Sequence, residues 1–387
     1  MDLLRGVFIF NQIYGTLTAH DMKYKRMPIE IESPEQMGYD NIRYNLTESS
    51  MDDLSFNSLN ISLKNLLISY GDHIGKPELR ALIAEDARMG ISDVLMTQSA
   101  AAALFIINTS LLEKDDHLIV MRPNYATNIE VPKSIGCDMD FIELKMEDDF
   151  ELNLDAVEAL IRPNTQFISI TTPHNPTGKL FSEKILRGLV QIVGKHQIHL
   201  LVDETYRDLT FSTLPPIAAT MSDRVISVSS MSKAYGLPGI RIGWILCQNK
   251  GLIETFLAAK EQIFITNSIV DEEIACQFLK AKSIFSPAIQ SKARIHFNIL
   301  KDWLSHEKYL DCRMPEGGVV CFPRIKDVVD VEMFYSLLNS KYETYVGPGH
   351  WFDMDRRYFR IGFGWPTMED LKTGLENISK ALKEAAS

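Results

Sequence analysis

Between about residue 95 and residue 250, short apolar, β-branched runs alternate with helix-length segments, and this alternation narrows the possible folds more than any other feature. The runs at 117–121, 140–144, 167–171, 199–202, 225–228 and 243–247 are nearly continuous in apolar character rather than alternating. That is the pattern of strands buried on both faces. Helical connectors such as 182–195 lie between several of them, which predicts βαβ units and a largely parallel sheet. Ligands of such sheets gather beyond the carboxyl ends of the strands, so those ends are where chemistry is expected.

Beyond about residue 285 the character changes. Long helical segments lead to Gly317-Gly318, to short strands near 319–322 and 358–363, and to a final amphipathic helix with Leu371, Leu375, Ile378 and Leu382 on one face. A smaller α+β lobe is predicted there, completed by residues before about 48. The expected division is an N-terminal arm and part of the small domain at 1–47, a large domain at 48–285 and the C-terminal small domain at 286–387. A chain of 387 residues is long enough for such an arrangement.

Composition excludes more than it identifies. Forty-five per cent hydrophobic and 24% charged residues argue against extensive disorder, and a net charge of −11 disfavours a nucleic-acid or anionic-membrane partner. The five cysteines are widely spaced with no C-x-x-C pair, so no zinc ribbon is indicated and no metal is expected. The apolar stretch at residues 3–10 is preceded by Asp2, interrupted by Arg5 and lacks a cleavage signal. With no apolar run of membrane-spanning length, the expectation is a soluble, cytoplasmic protein with reduced thiols.

Five segments follow strand-like runs or open a helix. Ser230-Met231-Ser232-Lys233 ends the run at 225–228, and Arg241 follows eight residues after the lysine. A lysine at the end of a buried strand is poorly hydrated; desolvation favours the neutral amine, which attacks aldehydes to give an imine. Two hydroxyls and a guanidinium beside it suit a phosphate, and the combination suggests pyridoxal phosphate. Asp203-Glu204-Thr205-Tyr206 follows the run at 199–202, placing a carboxylate where it can pair with a protonated ring nitrogen and a tyrosine near a ring oxygen. Asn175, in Asn175-Pro176-Thr177-Gly178, sits in a turn fixed by prolines and glycine. Ser99-Ala100-Ala101 opens an alanine-rich helix running to about Leu112, whose free N–H groups make an anion site. Tyr125 follows the run at 117–121 and can stack on a flat ring, while Arg360 lies in an apolar strand and can clamp a carboxylate in bidentate fashion. Each alone also has an ordinary reading, as a strand-exit lysine, a helix cap, a turn, a packed helix, a core tyrosine or an edge arginine.

Together these residues resemble the class I/II pyridoxal-phosphate-dependent aminotransferases, of the aspartate-aminotransferase type, from about Tyr70 to Trp365. The stretch at 230–244, SMSKAYGLPGIRIGW, lies close to the family pattern. The resemblance implies fold type I, with a mostly parallel seven-stranded sheet sandwiched by helices. It implies a Schiff base on Lys233, with Asp203 on the pyridine nitrogen and Tyr206 and Asn175 on the phenolic oxygen. Tyr125 would stack on the ring, and Ala100, Ala101, Ser230, Ser232 and Arg241 would cradle the phosphate. Arg360, with Asn175, would bind the substrate carboxylate. Tyr70 would reach the phosphate of a neighbouring subunit in a homodimer, and the Asn175–Pro176 bond would be cis. The implied reaction moves an amino group between an L-amino acid and a 2-oxo acid.

Two departures from the family pattern stand out. Ser99 replaces the usual glycine at the start of the phosphate loop, and Ala101 replaces a frequent side-chain ligand. The usual glycine-proline-aspartate turn near the N-terminus is replaced by the stretch at 44–52, which would put Glu48 or Ser49 beside the substrate and Glu48 opposite a cationic or polar distal group. No clear second arginine is supplied for a dicarboxylate. The same site also suits a C–S β-lyase or an amino-acid cyclase. A cofactor-binding sensor, as in certain transcription regulators, is the remaining alternative, and no basic helix pair precedes the matched region.

Overall fold

The structure, a computed structural model, describes residues 24–386; the apolar stretch at 3–10 and the first 23 residues of the N-terminal arm lie outside the described residues. The chain builds a seven-stranded sheet in the spatial order Val94–Thr97, Gly243–Cys247, Val225–Ser230, His199–Asp203, Thr165–Thr171, His117–Arg122, Asp138–Glu143. All neighbouring pairs are parallel except those made by Gly243–Cys247, which is antiparallel to both of its neighbours. The reason is local. Residues 231–242 contain only a one-turn helix at Pro238–Ile240, too little chain to cross back over the sheet, so the strand returns beside the one it left.

The expected strands appear within a few residues of their predicted limits, and one further strand, Val94–Thr97, was not anticipated. Continuous apolar runs are explained by two covered faces. On one, Ile168, Ile170, Leu200 and Val202 pack against Leu186, Leu189 and Val193 of the helix Glu183–His196. On the other, Phe167, Leu201, Ile226 and Ile245 meet Leu104 and Ile107 of the helix Ala100–Leu111 and Phe256 of Lys250–Phe264. Fully burying each such side chain stabilises the fold by roughly 1.5–3 kcal/mol.

A second, four-stranded sheet has the order Tyr44–Leu46, Thr344–Pro348, Phe359–Gly362, Val320–Cys321. Tyr44–Leu46 runs parallel to Thr344–Pro348, so a segment from early in the chain is the edge of a sheet otherwise made from its last 70 or so residues. The helix Met368–Ala385 covers this sheet; Leu371, Leu375, Ile378 and Leu382 are all buried, and Gly374 lets Leu46 approach the helix. Among the described residues no helix is long and apolar enough to cross a membrane.

Candidate active site

The segments singled out from the sequence converge on one cavity of about 330 Å³, at the carboxyl ends of the large-sheet strands and against the small sheet. Its walls include Ala100, Ala101, Tyr125, Asn175, Asp203, Tyr206, Ser230, Ser232, Lys233, Arg241, Arg360, Glu48 and Ser49, which is every expected site residue except Tyr70. Tyr70 is 83% exposed and lies outside the cavity of its own chain.

Lys233 follows the strand Val225–Ser230, and its carbonyl accepts a hydrogen bond from Met51 N at 3.0 Å. It is half-buried, more open than a lysine in a dry strand exit would be. The difference arises because its side chain borders the cavity rather than the packed interior. Asp203 ends the strand His199–Asp203 and is buried. Its Oδ1 accepts both Thr205 N at 3.0 Å and Thr205 Oγ1 at 2.5 Å, which leaves Oδ2 for a donor in the cavity. Burial raises the Asp203 carboxyl above its ordinary pKa, opposed by the two bonds from Thr205 and by the charge of Lys233. Tyr206 is 3% exposed, and its hydroxyl makes no hydrogen bond of good geometry among the described residues; burial pushes its pKa up to about 12, with Arg360 and the nearby Ser49 side chain acting the other way. A buried hydroxyl without a partner is costly, so its presence in a cavity wall points to an absent acceptor.

Arg360 sits in the strand Phe359–Gly362 and is also 3% exposed, so it is not an edge arginine in solvent. One Nη donates to Asn175 Oδ1 at 3.1 Å and the other to the Thr47 carbonyl at 2.6 Å, while Nε has no partner. The guanidinium lies 4.9 Å from the centre of the Phe352 ring. Burial lowers the Arg360 pKa, with Tyr206 and Glu48 acting the other way. Because Asn175 accepts through its oxygen, its amide hydrogens remain for the cavity, and its bond to Pro176 is cis.

Ser99 caps the helix Ala100–Leu111, accepting from Ala102 N at 3.1 Å. Ala100 and Ala101 occupy the first turn, where backbone N–H groups have no acceptor within the helix. Gly243 backs this turn, and a Cβ there would stand 2.4 Å from Ser99 C and 2.7 Å from Ala100 N. Ser230 and Ser232 are buried at the cavity edge, with Ser232 N donating to Ser230 Oγ at 3.4 Å. Arg241 is exposed at φ 48°, one Nη donating to the Pro238 carbonyl at 2.7 Å.

The far wall holds residues that the sequence did not reveal. Two short helices, Pro28–Glu32 and Pro34–Met37, bring Ile29, Glu30, Pro34 and Glu35 to the cavity, joined by Trp351. The one local signal was proline at the first position of each helix. Glu48 is half-buried, its Oε1 accepting from the Tyr39 hydroxyl at 3.0 Å. Burial raises its pKa, with Lys233, the Tyr39 bond and Arg360 in opposition and Glu35 adding to the rise. Among the described residues no group of three or more His, Cys, Asp and Glu is placed to hold a metal ion.

The sequence pattern of the family described as aminotransferase class I and II matches residues 48–378. The chain belongs to the class I and II aminotransferases. A capreomycidine synthase from Streptomyces vinaceus is 29% identical over 324 residues, 83% of this chain and 82% of the relative. An arginine–pyruvate transaminase from Pseudomonas aeruginosa is 26% identical over 264 residues, 65% of this chain and 66% of the relative. A solved pyridoxal-phosphate-dependent aminotransferase from Streptococcus suis superposes with a TM-score of 0.87 at 26% identity, covering 94% of this chain and all of that one. The fold is therefore fold type I, and the cofactor of this class I and II aminotransferase family member is pyridoxal phosphate. The cavity fits that group on its own terms. It has an unpartnered hydroxyl for a ring oxygen, a free carboxylate oxygen for a ring nitrogen, and a helix start kept open for a phosphate by the absence of a Cβ at Gly243.

Proposed function

We propose that this protein is an aminotransferase, transferring an amino group between an L-amino acid and a 2-oxo acid with Lys233 carrying the cofactor. The observation that carries the reading is the meeting of Lys233, the open oxygen of Asp203, the unpartnered Tyr206 hydroxyl and the unpartnered Arg360 Nε around one cavity. When bound, pyridoxal phosphate supplies an aldehyde that captures amines and a ring that withdraws electrons from the substrate Cα. Asp203 holds a proton on the ring nitrogen, and Tyr206 and Asn175 donate to the ring oxygen. The N–H groups of Ala100 and Ala101, with Ser230, Ser232 and Arg241, hold the phosphate, while Tyr125 covers the ring. Arg360 takes the substrate carboxylate through Nε and one Nη, exchanging a bond to its own chain for a charge-assisted one. The Lys233 amine would then serve as the base, taking the proton from the substrate Cα and returning it to the cofactor's former aldehyde carbon, two bonds away across the nitrogen. Ser49, buried beside Glu48, shapes the pocket floor.

Tyr70 is assigned to the site of a partner copy. It stands beside Leu67 and Ile68, which are 77% and 72% exposed, and a run of apolar side chains in water is best accounted for by a covering surface. A solved structure described as a pyridoxal-phosphate-dependent cyclase, which shares this fold with a TM-score of 0.84, supports a second reading, in which the same residues serve a cyclisation without net amino transfer. One experiment addresses both: mixing the holoenzyme with amino acids in a single turnover and measuring oxo acid and cofactor state together. Transamination yields one oxo acid per cofactor aminated; cyclisation leaves the cofactor as the aldehyde. Borohydride trapping on any residue other than Lys233 would overturn both readings.

A further inference from the structure

We infer that the distal end of the cavity recognises a cationic side chain, an ammonium or guanidinium, and that Glu48 is its principal contact. The inference rests on the aminotransferase reading and specifies the substrate class for that site.

Seven charged residues line the cavity: the cations Lys233, Arg241 and Arg360, and the acids Asp203, Glu30, Glu35 and Glu48. Each cation and Asp203 has a task at the cofactor or at the substrate carboxylate. Three carboxylates remain, and none of them forms an ion pair with any described residue, although 28 such pairs occur among the described residues. Glu48 has the Tyr39 hydroxyl as its hydrogen-bond donor, and a neutral donor does not balance its charge.

Arg360 and Tyr206, each 3% exposed, both carry a polar atom without a partner and both line the same cavity. With the α-carboxylate on Arg360 and the α-amine toward Lys233, the side chain of an amino acid is left the wall formed by Glu30, Glu35, Glu48 and Trp351. Glu48 is fixed in that wall from both sides. Arg360 binds the carbonyl of the preceding residue, Thr47, and the Glu48 carbonyl packs against Gly362 so closely that a Cβ there would come within 1.7 Å. The same strand thus sets the carboxylate clamp and the position of Glu48. An amino acid with a distal carboxylate meets three like charges; one with a distal cation supplies the missing counter-charge. Partial burial raises the Glu48 pKa despite the charges of Lys233 and Arg360, and a cation placed beside it would favour the charged carboxylate.

The test compares the holoenzyme with Glu48→Gln, an isosteric change that still accepts from Tyr39. Single-turnover rates are measured with L-arginine, L-lysine, L-norleucine and L-glutamate, and binding of unreactive 5-guanidinopentanoate and hexanoate is measured by calorimetry. Wild type is expected to prefer arginine or lysine over norleucine, and Glu48→Gln to reduce that preference by on the order of 30-fold, the worth of one charge-assisted hydrogen bond. The Glu30→Gln/Glu35→Gln double variant is expected to lower it less, since both residues are exposed. If the guanidino acid binds more tightly than hexanoate in a Glu48-dependent manner while no amino acid reacts, the transaminase reading fails and the recognition stands. If norleucine or glutamate reacts as well as arginine, or the preference survives Glu48→Gln, the inference is overturned and the transaminase reading is untouched.

Discussion

Replacing Ser99 with glycine should make the protein more stable, although it removes a helix cap. Ser99 has φ 139° and ψ 170°, a backbone region that glycine alone enters freely, and holding another residue there costs about 1–3 kcal/mol. The Ser99 Oγ bond to Ala102 N offsets part of this, yet a serine-to-glycine change at a cap loses only a few tenths of a kcal/mol. Ser99→Gly should therefore gain about 1–2 kcal/mol. Ser99→Ala keeps the Cβ and its strain but loses the cap, and should fall by about 1 kcal/mol. Each kcal/mol moves the midpoint of a large domain by roughly 2–4 °C, so glycine and alanine variants should melt about 4 °C or more apart with wild type between them. The assay is thermal unfolding of holoenzyme at fixed protein and saturating cofactor, because bound ligand itself shifts the midpoint. A glycine variant that melts at or below the alanine variant would refute the argument, since no strain would then be relieved at Ser99.

Gly243→Ala should weaken cofactor binding by on the order of tenfold or more, because the new Cβ meets backbone atoms of Ser99 and Ala100 that cannot move aside cheaply; an unchanged dissociation constant in an absorbance titration would contradict this. Asp203→Asn should slow Cα deprotonation by about 10- to 100-fold while leaving Lys233 able to be trapped by borohydride, since the ring nitrogen loses a charge-assisted partner; equal single-turnover rates would count against the assignment. Glu48→Gln should stabilise the free enzyme in a pH-dependent way. The folded pKa of Glu48 is raised, so the penalty of its charge is absent below the unfolded carboxyl pKa near 4.5 and is fully present above the raised value. The variant's advantage in melting temperature should thus grow from pH 4 to pH 7, and a variant less stable than wild type at pH 7 would sink the reasoning.

Much of the large sheet was legible because a strand covered on both faces is apolar at nearly every position, and Phe167–Ile170 and Val225–Val228 show this openly, each broken by a single buried serine, Ser169 or Ser227. Val94–Thr97 escaped because it is four residues long and leads within two residues into the alanine-rich helix, leaving no boundary that composition would mark. Cavity-lining residues at or just after strand ends were readable for the same reason: Asn175, Asp203 and Lys233 are placed by the strands that lead to them. Glu30 and Glu35 were not, since only the folding of the N-terminal segment against Trp351 and the small sheet turns them toward the cavity. Arg360 lies between these cases. Its strand was visible, but its bonds to Thr47 and Asn175, 313 and 185 residues away along the chain, were not.

The antiparallel strand Gly243–Cys247 has a consequence for how this molecule can vary. Lys233, the proposed attachment point of the cofactor, is carried on a twelve-residue return between two neighbouring strands in the interior of the sheet, so both stems of that return are riveted to the most deeply packed part of the molecule. Most surface connections can lengthen at small entropic cost. Here one added residue would shift the amine relative to Asp203 or push Gly243 off the phosphate turn. Evolution can remodel the rim of the pocket while this hairpin keeps its length.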